Sequence, residues 1–205
     1  APAPLDGDAR FSQFLEKNGR LNRSIEFLPT DEELNERRKN KRGLVIPELA
    51  ILLAYSKIWL YDELLASTLP DDPWVATALT RYFPRLISEK FTAALPRHPL
   101  KREIITTHVT NSMINRVGSI FVHRLMEATG ARPSEIVRAY LIAREVFGYV
   151  SLWQSVEALD DKVSEDVLAE LLLEAQSKPP ATSWFLRSER LQDDIRNIFR
   201  ELAKK

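Results

Sequence analysis

The segment PLKREIITTHVTNSMINRVGSIFVHRLMEATG, residues 99–130, decides the fold. No proline follows Pro99 until Pro133, and Gly130 offers a helix C-cap. If the 31 residues from Pro99 to Thr129 form one helix, it spans about 45 Å at about 1.5 Å per residue. A compact domain of 205 residues has a radius of gyration of only about 17 Å. The segment therefore crosses the whole domain, or it kinks near Gly118.

The same signals recur on both sides. Phe11, Phe14 and Leu15 mark an apolar turn that Gly19 can end. Thr30 and Glu33 have capping-box spacing, and the basic run that follows (Arg37, Arg38, Lys39, Lys41, Arg42) reads as a solvated helix end stopped by Gly43. Pro47 opens a helix that is apolar almost all round (Leu49, Ile51, Leu52, Leu53, Ile58, Trp59, Leu60, Leu64, Leu65), the pattern of a buried central helix. Asp72-Pro73, Pro84 and Pro133 each start a further helix. Ser164 caps another, and a last one follows Pro179-Pro180. No convincing strand is found. The expected fold is an all-α, irregular multi-helix domain with one long central helix and proline-set corners.

Composition narrows the chemistry. Lys plus Arg equals Asp plus Glu at 29 each, so no overall basic excess points to nucleic acid or an anionic membrane. The absence of cysteine removes disulfides, thiolate metal sites and thiol nucleophiles. The six glycines form neither a GxGxxG fingerprint nor a phosphate-binding loop. No apolar stretch approaches the roughly 20 residues of a membrane span. The start, Ala1 to Gly7, lacks the features of a signal peptide and reads as a linker. A cytoplasmic placement is expected.

Three histidines remain. His108 and His123 lie 15 residues apart, too far along one helix to share a metal, and with His98 they read as surface or capped residues. No nucleophile elbow or Glu-x-x-His pair occurs, and the Asp pairs at 71/72, 160/161 and 193/194 carry no glycosidase signature. The unusual feature is polar. His108, Asn111, Asn115 and Gly118 recur on one helical face, with Arg116 beside them. Asparagine is a poor helix former and needs a reason to be there. One reason is a hydrogen-bonded seam between helices, with Gly118 allowing close approach; the other is a partner contact. Trp59 and Trp153 read as core. Trp184, after the double proline, is either core or a docking anchor.

Several strings together carry a resemblance: Ile25 to Leu34, Pro47 to Ile58, Tyr61 to Leu65, Arg81 to Pro84, His98 to Ile105, Asn111 to Gly118, Ala143 to Gly148 and Trp184 to Arg187. In this order and spacing, over residues 20–187, the chain resembles the C-terminal helical domain of the large bacterial NAD-dependent glutamate dehydrogenases. Val45 and Arg132 stand at helix starts where that family favours hydroxyl caps. The resemblance implies a parent enzyme that oxidatively deaminates L-glutamate to 2-oxoglutarate and ammonia with NAD. The family's catalytic lysine and aspartate and its glycine-rich loop lie upstream of the matched region, so no catalytic, cofactor or metal residue is carried over. It further implies an accessory domain for assembly or regulation, with the catalytic domain of the same polypeptide as partner and a homo-oligomeric parent. No nucleic-acid or membrane partner is expected. The segments are then 1–19, a linker and short helix; 20–178, the family-like helical domain; and 179–205, a C-terminal helix. A free-standing helical interaction module is the alternative.

Overall fold

A computed structural model describes residues 4–159 and 162–167. These residues are helical or irregular, with no strand among them. The chain divides between Arg124 and Leu125 into two compact units. That division falls inside the segment 20–178 expected as one domain.

In the first unit, α1 covers Pro4–Lys17, α2 Asp31–Lys39, α3 Ile46–Leu65, α4 Ala78–Tyr82, α5 Arg85–Lys90 and α6 Lys101–Val117. The linker reading of the N-terminus holds at most for residues 1–3, which lie outside the described residues. From Pro4 the chain is helix, because Leu5 and Ala9 are buried and cluster with Leu34 of α2. Phe11 and Leu15 are fully buried on the same helix. Gly19 ends it as expected. With φ +64, it lets its own N–H reach the Glu16 carbonyl and the Arg20 N–H reach that of Leu15, both at 2.9 Å.

α2 begins with the expected capping box. The Glu33 N–H donates to Thr30 Oγ1 at 3.3 Å, and the Thr30 N–H donates to Glu33 Oε2 at 2.8 Å. Its end differs from expectation. Gly43 is not left-handed; Lys41 is, with φ +54. The Arg42 N–H returns to the Arg37 carbonyl at 2.8 Å, and the Lys41 N–H to that of Arg38 at 3.1 Å. The left-handed closing position thus falls on a lysine, two residues before the glycine.

α3 is not buried on every face. Leu52, Trp59, Leu60 and Leu64 are buried, but Leu49 and Ile58 are exposed. Burial follows from neighbours: α6 packs along α3 and also against α4. α6 directs Ile105, Thr106, Val109, Thr110, Met113 and Ile114 inward. Each fully buried Leu, Ile or Met contributes about 1.5–3 kcal/mol. Arg102 ties the two helices together by donating to the Leu65 and Ser67 carbonyls at 2.8 and 3.0 Å and pairing with Asp71. Asp72 caps the turn after Pro73, accepting from the Trp74 N–H at 3.0 Å.

The long segment takes the second of its two expected courses, and breaks rather than bends. α6 stops at Val117. Gly118 adopts φ +83, ψ 171, a conformation essentially restricted to glycine. α7, Phe121–Thr129, then starts afresh. No single helix therefore crosses the domain, and α3, at 20 residues, is longer than α6, at 17.

In the second unit, α8 is Pro133–Val146 and α9 is Tyr149–Glu157, packed on each other. It is α8 that is buried nearly all round, through Ile136, Val137, Ala139, Tyr140, Leu141, Ile142 and Ala143. Gly148 ends it in the left-handed region, φ +65. Trp153 is buried as expected and stacks on Tyr149 at 5.8 Å. Val45 and Arg132 lack a capping side-chain oxygen. At each site the glutamate three residues on, Glu48 or Glu135, accepts the backbone N–H instead, at 2.8 and 2.9 Å.

Candidate functional site

The polar face of α6 is the site the sequence singles out. His108 and Asn111 are half-buried, Arg116 is half-buried and Asn115 is exposed. At about 100° per residue, positions 108, 111 and 115 lie opposite the centre of the buried face formed by Ile105, Thr106, Val109, Thr110, Met113 and Ile114. Asn115 is therefore not a buried member of a helix–helix seam. Nor does Gly118 serve close approach: a Cβ there would meet nothing within 4 Å. Its role is its backbone conformation. What remains of the site is a polar, partly accessible helix face. Trp184 lies outside the described residues.

His123 departs most from expectation. It is neither on the surface nor at a cap, but buried in a box of rings on α1 and α3. Its imidazole centroid lies 4.7 Å from that of Phe14 and 5.5 Å from that of Phe11. Trp59 completes the box, edge-on to Phe14 at 5.4 Å and to Phe11 at 5.8 Å. The spacing of Phe11, Phe14 and Trp59 signalled burial. Nothing local signalled that a histidine so far along the chain would join them. His98 is satisfied locally: its Nδ1 accepts the Leu100 N–H at 3.1 Å.

Electrostatics in this unit are organised around α2, which buries only Leu34. Its charges are not simply solvated. Arg37 forms a two-pronged pair with Glu48, and Arg38 donates to Asp6 at 2.6 Å. At the other end, Asp31 accepts from Arg23 at 2.8 Å, while Arg23 also donates to Glu16 at 2.7 Å. The bond from Arg23 holds the Asp31 carboxyl below its ordinary value, helped by Gln13. Burial pushes the Glu48 carboxyl up, but Arg37 and the Val45 N–H outweigh that and leave it below the ordinary value. Asp8 has no such compensation; burial raises it. The Tyr55 hydroxyl donates to Glu26 at 2.6 Å, which raises the phenol.

No group of three or more His, Asp or Glu able to hold a metal occurs among the described residues. A dinucleotide site of the strand–glycine loop–helix type needs glycines that open a helix after a strand. Here Gly19, Gly118, Gly130 and Gly148, all with positive φ, follow the ends of helices. The described residues therefore do not fit NAD in that mode. No helix among them is long and apolar enough to cross a membrane.

Fold and site together define an all-α protein whose distinctive chemistry lies on helix surfaces. The family described as "Glutamate dehydrogenase, C-terminal" matches residues 41–205, and the chain belongs to it. Its relatives include the NAD-specific glutamate dehydrogenases of Halomonas elongata and Pseudomonas aeruginosa. The first is 42% identical over 87% of this chain, the second 43% over 88%. That of Mycobacterium tuberculosis is 38% identical over 67%. This chain spans 11% of the length of the first two relatives and 8% of the third.

Proposed function

We propose that the chain is a helical accessory domain, serving assembly or regulation, of an NAD-dependent glutamate dehydrogenase. One observation carries this reading: relatives match about nine-tenths of the chain, while the chain makes up 11% of their length. The parent enzyme converts L-glutamate, water and oxidised NAD to 2-oxoglutarate, ammonium, NADH and a proton in the cytoplasm. Its catalytic and nucleotide-binding residues lie elsewhere in the polypeptide, and it works as a homo-oligomer. The partner of this domain is the catalytic part of the same polypeptide.

The test is to produce the native polypeptide with and without the residues of this chain. Particle mass and glutamate-dependent NADH formation are then measured. The expected result is a large parent chain whose assembly or substrate response changes on deletion while the remainder still binds NAD. Glutamate turnover by the 205-residue chain alone, or a native product of only 23.5 kDa, would overturn the reading.

A further inference from the structure

Residues 73–101 contain five Lys or Arg and one acid, Glu89, in a chain whose net charge is zero. Glu89 is engaged within its own helix by Arg85 at 3.5 Å. Around this excess sits a second anomaly. Helix α5 has no buried residue, and Leu86 is 76% exposed. Tyr82, Ile87, Phe91 and Leu100 are exposed as well. A six-residue helix is too short to hold in water by its own hydrogen bonds, since about 12–15 residues are marginal. Within the unit, α5 is tied to α4 by a polar side chain and not by apolar packing: Ser88 Oγ donates to the Thr80 carbonyl at 2.8 Å. Apolar side chains ringed by cations describe the core and rim of an interface rather than a solvated loop.

We propose that α5 and its flanks, residues 81–101, form a docking surface for an acidic protein face on the remainder of the parent polypeptide. Leu86 and Phe91 enter an apolar recess there, and Arg81, Lys90, Arg97 and Lys101 meet its carboxylates. This rests on the accessory-domain reading. The occupant is set by two facts: the positive sign of the patch, and the much greater length of the relatives outside the matched region. Nucleic acid fits less well, because aliphatic Leu86 and Ile87 have no role against phosphates.

The experiment uses the full native polypeptide. A zero-length carbodiimide joins lysine amines to carboxylates in contact with them, and mass spectrometry locates the amides. Lys90 and Lys101 are expected to couple to Asp or Glu outside residues 1–205. The pair of substitutions Leu86→Ser and Phe91→Ser keeps both lysines and removes no buried side chain. It is expected to cut the yield of those amides about tenfold, as loss of interface anchors does, with the melting temperature unchanged. Outward coupling from other lysines such as Lys39 or Lys57, with none from Lys90 or Lys101, overturns this surface and leaves the accessory-domain reading intact. Coupling of Lys90 and Lys101 only within residues 1–205, or their protection by added RNA instead, also overturns it. A native polypeptide of 23.5 kDa overturns the reading beneath it.

Discussion

Arg37 and Glu48 close the connection between α2 and α3. Arg37 Nη1 donates to Glu48 Oε2 at 2.6 Å and Nη2 to Oε1 at 2.9 Å. The same carboxylate accepts the Val45 N–H at 2.8 Å, so one side chain both caps α3 and holds α2. Glu48 is buried and Arg37 partly exposed, which limits screening without the full desolvation cost of a deep pair. In a double-mutant cycle with Arg37→Met and Glu48→Gln, the coupling is expected at about 1–2 kcal/mol. Urea unfolding of the four proteins measures it, and additive effects would refute the latch. Because the Glu48 carboxyl is held below its ordinary value, this stability is present at neutral pH. It is lost as pH falls from the ordinary carboxylate range through the lower folded value.

Asp8 carries the opposite sign. Burial raises its carboxyl, so the folded chain holds that proton more readily than the unfolded one. Its ionised form opposes folding at neutral pH, and the opposition fades as pH falls through the raised value. Asp8→Asn is therefore expected to raise the melting temperature at pH 7 and to make little difference at pH 3. Scanning calorimetry at both values decides it; a lower melting temperature at pH 7 would show that the charge has a stabilising partner.

Gly118 and Gly7 separate two uses of glycine. Gly118→Ala is expected to cost about 1–3 kcal/mol, through strain at φ +83 alone. At Gly7 the backbone is helical, but an added Cβ would lie 2.6 Å from Ile120 Cδ1. Gly7→Ala is expected to cost less than Gly118→Ala, since the end of a flexible side chain can shift and the helix gains about 1 kcal/mol of propensity. Chemical denaturation of both variants ranks them, and the reverse order would contradict this account.

Lys41 adopts a left-handed conformation where glycine is the usual residue. Lys41→Gly is expected to stabilise the first unit by roughly 0.5–1 kcal/mol. A loss of stability on denaturant titration would mean that the Lys41 side chain makes a contact worth more than the relief of strain.

Asn115 is exposed. Asn115→Ala is therefore expected to change stability by no more than about 0.5 kcal/mol. If the polar face of α6 meets the parent enzyme, the same substitution alters assembly of the full polypeptide while the melting temperature stays put. A drop of several degrees would restore Asn115 to a structural role.

Local chemistry made much of this legible in the sequence. Thr30 with Glu33, Pro133, Gly19 and Gly148 mark helix ends because each satisfies or terminates a run of backbone hydrogen bonds within a few residues. The all-α class follows from the same local patterns. What depends on distant neighbours was not legible. Apolar side chains on every face of α3 looked like a central helix, yet Leu49 and Ile58 are exposed, and α8 is the helix buried nearly all round. The run at 37–42 looked solvated because its partners Asp6 and Glu48 lie on other helices. His123 looked peripheral because Phe11, Phe14 and Trp59 reach it from elsewhere in the chain. The sequence by itself determined where helices start, stop and cap, since those energies are settled within one turn. The tertiary structure decided which faces are buried, which charges are paired and where Asn115 points, since those energies come from residues tens of positions away.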